Sequence, residues 1–248
     1  MRTIALVLLV LGATYADLNA QNSATFHVFP QVADGLLSDG SAYFSTVVAV
    51  NVGAQAATCT IRLYGGVASH IQGSVTMTIA ASGGTAVKNT ALADNGGFFP
   101  LATGYGTLSC DRPVAAQVGY FYLAPTLPNL NLLAGATVFS SPPTTRAELF
   151  VVNTIGFRSA VAIANDTDTP GQYQINVVND SGQTVATTNI SVPARSSVAK
   201  FFAELVQLPA TFTGGGAIIS SASSPFSAVG LLFNGSTFLS VAAVPFGQ

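Results

Sequence analysis

Charge is what this sequence has least of. Asp, Glu, Lys and Arg make up 7 % of its 248 residues, against roughly 25 % in an ordinary soluble domain. The net charge is −2. The basic residues Arg62, Lys88, Arg112, Arg146, Arg158, Arg195 and Lys200 are scattered. No field exists to attract nucleic acid, and such a partner is not expected. A surface this poor in charge also has little repulsion to keep copies apart, so self-association is expected. Trp is absent, which removes the broadest flat side chain for stacking on a sugar. There are two His and two Cys, none at the two-to-four-residue spacing of a zinc site. No Gly-x-Ser-x-Gly elbow surrounds a serine. Gly214-Gly215-Gly216 lacks the Lys-Ser/Thr of a phosphate loop and precedes a strand. No two carboxylates can be assigned across a cleft as a glycosidase requires. No catalytic residue, metal or cofactor is expected, and the chain is not read as an enzyme.

Apolar residues, in contrast, make up 49 %. That is enough for a sizeable core and excludes a disordered chain. The one long apolar run is N-terminal. Met1-Arg2 is followed by Thr3–Gly12 (TIALVLLVLG) and then small residues, the layout of a signal peptide with cleavage after Ala16 or Ala20. Residues 1–20 are read as that segment, and the protein as secreted or held at the cell surface. No later run is long enough for a transmembrane helix. In an exported chain, two cysteines suggest one disulfide. Cys59 alternates in phase with Ile61 and Leu63, and Cys110 with Leu108, so both point to the apolar side of their strands.

The rest of the chain reads as a duplication. Ser45–Tyr64 (STVVAVNVGAQAATCTIRLY) recurs as Ser159–Val178 (SAVAIANDTDTPGQYQINVV). Val48 and Val50 align with Val161 and Ile163. After one inserted residue, Asn51 aligns with Asn165. Cys59, Ile61 and Leu63 align with Tyr173, Ile175 and Val177. Each copy is read as a central hairpin. The echo continues: Cys110–Val114 recurs loosely as Ala222–Phe226, and Ala136–Pro142 as Leu239–Pro245. Tyr105–Cys110 and Val114–Leu123 are expected to form a hairpin around Asp111-Arg112-Pro113, and Val198–Leu205 a helical turn. Many short alternating segments separated by turn residues, without long 3.6-period runs, predict an all-β chain. We expect two tandem antiparallel β-sandwich repeats, 21–143 and 144–248, joined at the stiff Ser141-Pro142-Pro143-Thr144. Reduction should weaken the first repeat and spare the second. An outer-membrane barrel fits less well, given the proline placements.

The segments FPQVADG (Phe29–Gly35), Val47–Ile61, SVPARSSVAKFFAEL (Ser191–Leu205) and Ser224-Pro225-Phe226 with Val229–Phe233 resemble the tandem immunoglobulin-like sandwich repeats of secreted Acidobacteria-type bacterial proteins. The resemblance covers nearly the whole mature chain. It implies a scaffold and brings no activity. Two acidic loops remain, Asp34 with Asp39 and Asp166 with Asp168. Such loops can hold calcium through oxygen ligands, but Asp and Asn also form turns by themselves. The sequons at Asn165, Asn179, Asn189 and Asn234 are read as chance occurrences. The expected function is that of a non-catalytic structural or interaction protein of the cell surface. Its partner would be itself or another surface protein, and self-assembly into a fibre or layer is the stronger form. The alternative is a glycan- or surface-binding adhesion module assisted by calcium.

Overall fold

The computed structural model describes residues 23–70, 74–90, 100–124, 131–154, 156–235 and 237–246. The predicted signal peptide lies outside the described residues. The chain is nearly all β, in antiparallel sheets. Among the described residues no helix is long and apolar enough to cross a membrane.

The first half contains β1 (Ser23–Leu36), β2 (Ala42–Asn51), β3 (Ala57–Gly65), β4 (Ser74–Ile79), β5 (Gly84–Asn89), β6 (Ala102–Leu123) and β7 (Leu132–Phe139). They form one sheet in the order β4-β3-β6-β1-β2-β5, with β7 and β2 also paired to β6. The second half contains β8 (Arg146–Val152), β9 (Phe157–Asn165), β10 (Gly171–Asn179), β11 (Thr184–Val192), β12 (Ser196–Phe201), the short helix α1 (Phe202–Leu205), β13 (Gly214–Ser220), β14 (Ser227–Asn234), β15 (Thr237–Ala242) and β16 (Val244–Pro245). These form two sheets, β11-β10-β13-β8-β16 and β12-β9-β14-β15.

The period-2 alternation delivers the inward faces as read. Cys59, Ile61 and Leu63 are buried in the first core, and Tyr173, Ile175 and Val177 in the second. Cys59 pairs directly with Cys110 across β3 and β6, and the two form a disulfide. Where the first core is tied by this bridge, the second holds Tyr173 edge-on against Phe226, 5.3 Å between ring centroids.

Three local expectations are corrected. The duplicated stretch is not a hairpin. β2 pairs with β1, β5 and the later part of β6, while β3 pairs with β4 and the earlier part. β9 and β10 likewise belong to different sheets. The connection is an arch, held by one asparagine in each half. Asn51 Nδ2 donates to Gln55 O (2.8 Å) and Ile79 O (3.2 Å), and its Oδ1 accepts from Gly53 N (2.9 Å). Asn165 repeats this with Thr169 O (2.8 Å), Val192 O (3.1 Å) and Thr167 N (3.2 Å). Six residues earlier, Ser45 and Ser159 clamp the neighbouring strand through both backbone groups, of Ala33 and Val152. One constant offset therefore relates Ser45 to Ser159 and Asn51 to Asn165, with no inserted residue. The structural counterparts of Val161 and Ile163 are Val47 and Ala49, not Val48 and Val50.

Second, the hairpin at Asp111-Arg112-Pro113 is instead a single strand of 22 residues. Asp111, Arg112 and Pro113 have no ladder partner, because β3 pairs only to Cys110 and β1 skips from Ser109 to Val114. Pro113 sits where no backbone N–H is needed. Third, Val198–Phe201 is strand, and only Phe202–Leu205 is helical. Phe202 still enters the second core.

The sheet β12-β9-β14-β15 is buried on both faces at its centre. Along β9, Val161 and Ile163 face the second core, while Ala162 joins the first core and Ala164 packs with Val28 and Tyr105. On β14 and β15, Val229, Leu231, Phe233 and Phe238 also pack against the first core. The halves are therefore not beads on a linker. The junction is pinned as well: Ser141 N donates to Val28 O (2.9 Å), and its Oγ accepts from Ala228 N (3.1 Å).

Ala162→Leu should overfill this contact and cost about 1–3 kcal/mol in urea melts. The disulfide closes a loop of 51 residues, worth about 4 kcal/mol in the chain-entropy model. Because the first core includes side chains of β9, β14 and β15, reductant should lower one common melting transition. Two separated transitions, with the second unmoved, would show that the halves unfold independently.

Candidate functional site

One of the two acidic loops singled out in the sequence lies at the junction between the halves. The turn after β9 puts Asp166 and Asp168 two residues apart, within reach of one guanidinium. Arg195 Nη1 meets Asp166 Oδ1 at 2.7 Å, and Arg195 Nε meets Asp168 Oδ1 at 2.9 Å. The bond from Arg195 holds the Asp168 carboxyl below the usual carboxylate range, and both acids push the guanidinium up. Arg195 stands in the left-handed region at φ 48°, held there by its backbone bond to Thr167 O (3.0 Å). Tyr105, on β6 of the first half, donates its hydroxyl to Asp166 Oδ1 at 2.8 Å and stacks on Tyr64 at 4.5 Å. Burial, then the bond to Asp166, pushes the Tyr105 phenol well up. The loop expected to offer oxygens to calcium is thus occupied by protein groups. Arg195 and Tyr105 escaped the sequence reading. Only the Asp-x-Asp spacing hinted at a shared cationic partner.

Asp34 and Asp39 are not brought together. Asp34 is fully buried at the end of β1. It accepts from Ser45 N at 2.8 Å and from the Thr90 hydroxyl. Burial pushes its pKa up, partly offset by these bonds and by the field of His70. Asp39 is exposed in the following turn, where Ser41 N donates to it at 2.9 Å. The hydroxyl and backbone of Ser41 lower its pKa. Among the described residues no three His, Cys, Asp or Glu side chains form a metal-sized cluster.

His27 is a second buried titratable group of the first strand. Its Nε2 faces two carbonyls, Ala24 O and Val114 O, each at 3.0 Å, and its Nδ1 lies 2.7 Å from Ser140 Oγ. Two acceptors fix the proton on Nε2, so Nδ1 accepts from the serine hydroxyl. The ring ties β1, β6 and the linker. The aromatic run on β6 is likewise structural: Tyr120 donates to Gln31 O at 2.7 Å, and Tyr122 packs on Tyr43. Of the sequons, Asn165 is buried and used in its arch.

The outer face of β8, β13 and β10 carries an open groove of about 680 Å³, lined by Glu148, Phe150, Val178, Asn179, Asp180 and the glycine run. Gly216 stands opposite Phe150 in register. A Cβ there would lie 2.2 Å from Glu148 Oε1, so a side chain at this position would fill the groove. Phe150 is 59 % exposed beside it.

Neither a protein-family model nor a curated protein matches the chain. Among solved structures, that of Thermotoga maritima 1070 is 16 % identical, covering 48 % of this chain and 95 % of that one, with a TM-score of 0.31. An uncharacterized protein from Burkholderia cenocepacia is 10 % identical over 90 % of this chain and 86 % of its own, with a TM-score of 0.27. A β-glucuronidase of glycoside hydrolase family 2 is 9 % identical, with a TM-score of 0.17; this chain covers 24 % of its length. Likenesses at this level assign neither a fold family nor a function.

Burial lowers the His27 pKa from its ordinary 6.5. The unfolded chain then takes up a proton before the folded one does. The contribution of His27 is complete above about pH 6.5 and falls as the pH drops toward its folded value. Urea melts from pH 8 to pH 5 should lose stability progressively below about pH 6.5. His27→Gln should flatten that slope while lowering stability at pH 8.

Proposed function

We propose that the chain is a secreted, non-catalytic structural and interaction protein of the cell surface, built from two duplicated immunoglobulin-like β-sandwich repeats. The observation that carries this reading is the employment of its candidate chemical groups. Asp34, Asp166, Asp168 and His27 each hold strands or loops together, which leaves them committed to the scaffold. The matching Ser45/Asn51 and Ser159/Asn165 bonds support the duplication. The resemblance to repeats of secreted Acidobacteria-type proteins supports the cellular setting. The nearly uncharged surface supports association with itself or with another surface protein.

The reading is tested by expressing the full chain in a bacterial host, fractionating the culture, and following the processed protein by sedimentation and electron microscopy. The expected result is an exported, surface-associated protein that self-associates as its concentration rises. A strict monomer, free in the medium and binding no surface component, would overturn the proposal.

The alternative, a glycan-binding module, is favoured by one feature, the groove beside exposed Phe150 with its amide and carboxylate rim. A glycan array with and without chelator should show signal that Phe150→Ala abolishes. Silence across the array would remove this alternative.

A further inference from the structure

An exposed sheet edge offers unpaired N–H and C=O groups to any other strand, and proteins guard such edges with charge, proline, bulges or short length. Among the described residues seven strands lie at edges: β4, β5, β7, β11, β12, β15 and β16. Most are guarded. β5 carries Lys88 and β12 carries Lys200. β16 is two residues long and ends in Pro245. β7 and β15 lie against each other, with Ser240 Oγ donating to Thr137 O at 2.8 Å. β4 spans six residues.

β11 is different. It spans nine residues, TVATTNISV, with no charge, proline or glycine. Its pairing with β10 runs without interruption from Ala186 to Val192, and no described strand pairs with its other edge. Its outward side chains, Thr187, Asn189 and Ser191, are exposed. They continue an uncharged amide and hydroxyl ladder with β10, in which Asn176 accepts from Thr187 (2.9 Å) and Gln172 donates to Ser191 (2.8 Å). The nearest charges flank the strand. Asp180 precedes it, and Arg195, which follows, is already held by Asp166 and Asp168.

We propose that β11 is a dimerisation strand, pairing antiparallel with β11 of a second copy of this chain. The partner follows from the charge pattern. In a two-fold pairing the strand meets its own copy, so every charge it carried would be doubled along the new seam and a lysine on the axis would face itself. β11 has none. Side-chain parity requires the axis to pass through a residue, and centring it on Asn189 uses the whole uninterrupted stretch. Asn189 then faces Asn189 of the second copy, and Thr187 faces Ser191. Two five-stranded sheets become one sheet of ten. The opposite edge of that sheet, β16, ends in proline and does not extend it, so this pairing closes at two copies. The proposal rests on the reading of the protein as self-associating and names the surface it uses.

Sedimentation of the processed protein over a range of concentrations tests it, with three chains compared. The wild type should dimerise. The double variant Thr187→Lys, Ser191→Lys places lysine opposite lysine twice and should weaken dimerisation roughly tenfold or more. Its melting temperature at low concentration should be unchanged, since both positions are exposed. Thr187→Lys, Ser191→Glu places opposite charges across the same pairs and should restore the dimer. Self-association untouched by the lysine pair would overturn the β11 proposal while leaving the self-associating reading in place. A wild type that stays monomeric throughout would overturn both.

Discussion

The molecule depends on one sheet being wanted from two sides. β9 and β14 sit between the second core and the first, so they present apolar side chains on both faces and have no solvent face at their centre. Strands in that position cannot show a clean alternation, and β9 shows none: Ser159 to Asn165 are all buried. The cost of such burial is backbone satisfaction. It is met because β9 is a central strand, bonded to β12 on one edge and β14 on the other. Its small alanines set how closely the first half can approach, and the larger Val229, Leu231 and Phe233 of β14 fill the space beside them.

The polar contacts follow the same logic. A chain with few charges has placed several where the halves meet. Asp166 bonds Tyr105 from one half and Arg195 from the other, so a single carboxylate is satisfied by both. His27 and Ser141 extend this control to the linker, which is hydrogen-bonded on both sides before it enters β8. Hydrophobic contact brings the halves together without a fixed angle. Directional bonds at three separate points select one arrangement.

Much of this was legible in the residues. The alternation of Cys59, Ile61 and Leu63 assigned their face, and the phase of Cys110 assigned its partner. Both rest on a period of two that neighbours cannot alter. The equivalence of Asn51 and Asn165 was also visible. Their purpose was not, because an asparagine that bonds its own loop and one that also reaches the next strand look alike in sequence. The hairpin reading of Ser45–Tyr64 failed for a related reason: two runs joined by a turn can pair with each other or arch between layers, and only distant partners decide. Pro113 misled because a proline marks a missing N–H, and a strand needs none where it leaves one pair of ladder partners before meeting the next. The Asp166–Asp168 pair was found, but its partners Tyr105 and Arg195 are distant in the chain and come from opposite sides of the junction.

The long strand β6 has a further consequence, in time rather than in space. Its early part completes the ladder of β1 and its later part that of β2, so Ser23 finds its partner only in Ala115. No subset of the first hundred residues can close the first core, and contacts this far apart in the chain make assembly slow. Meanwhile β1, β2 and β3 wait as open-edged strands. Until β6 is made, β1, β2 and β3 lack the strand that joins them into one sheet. That interval, rather than the finished fold, is the period when unpaired edges are most exposed.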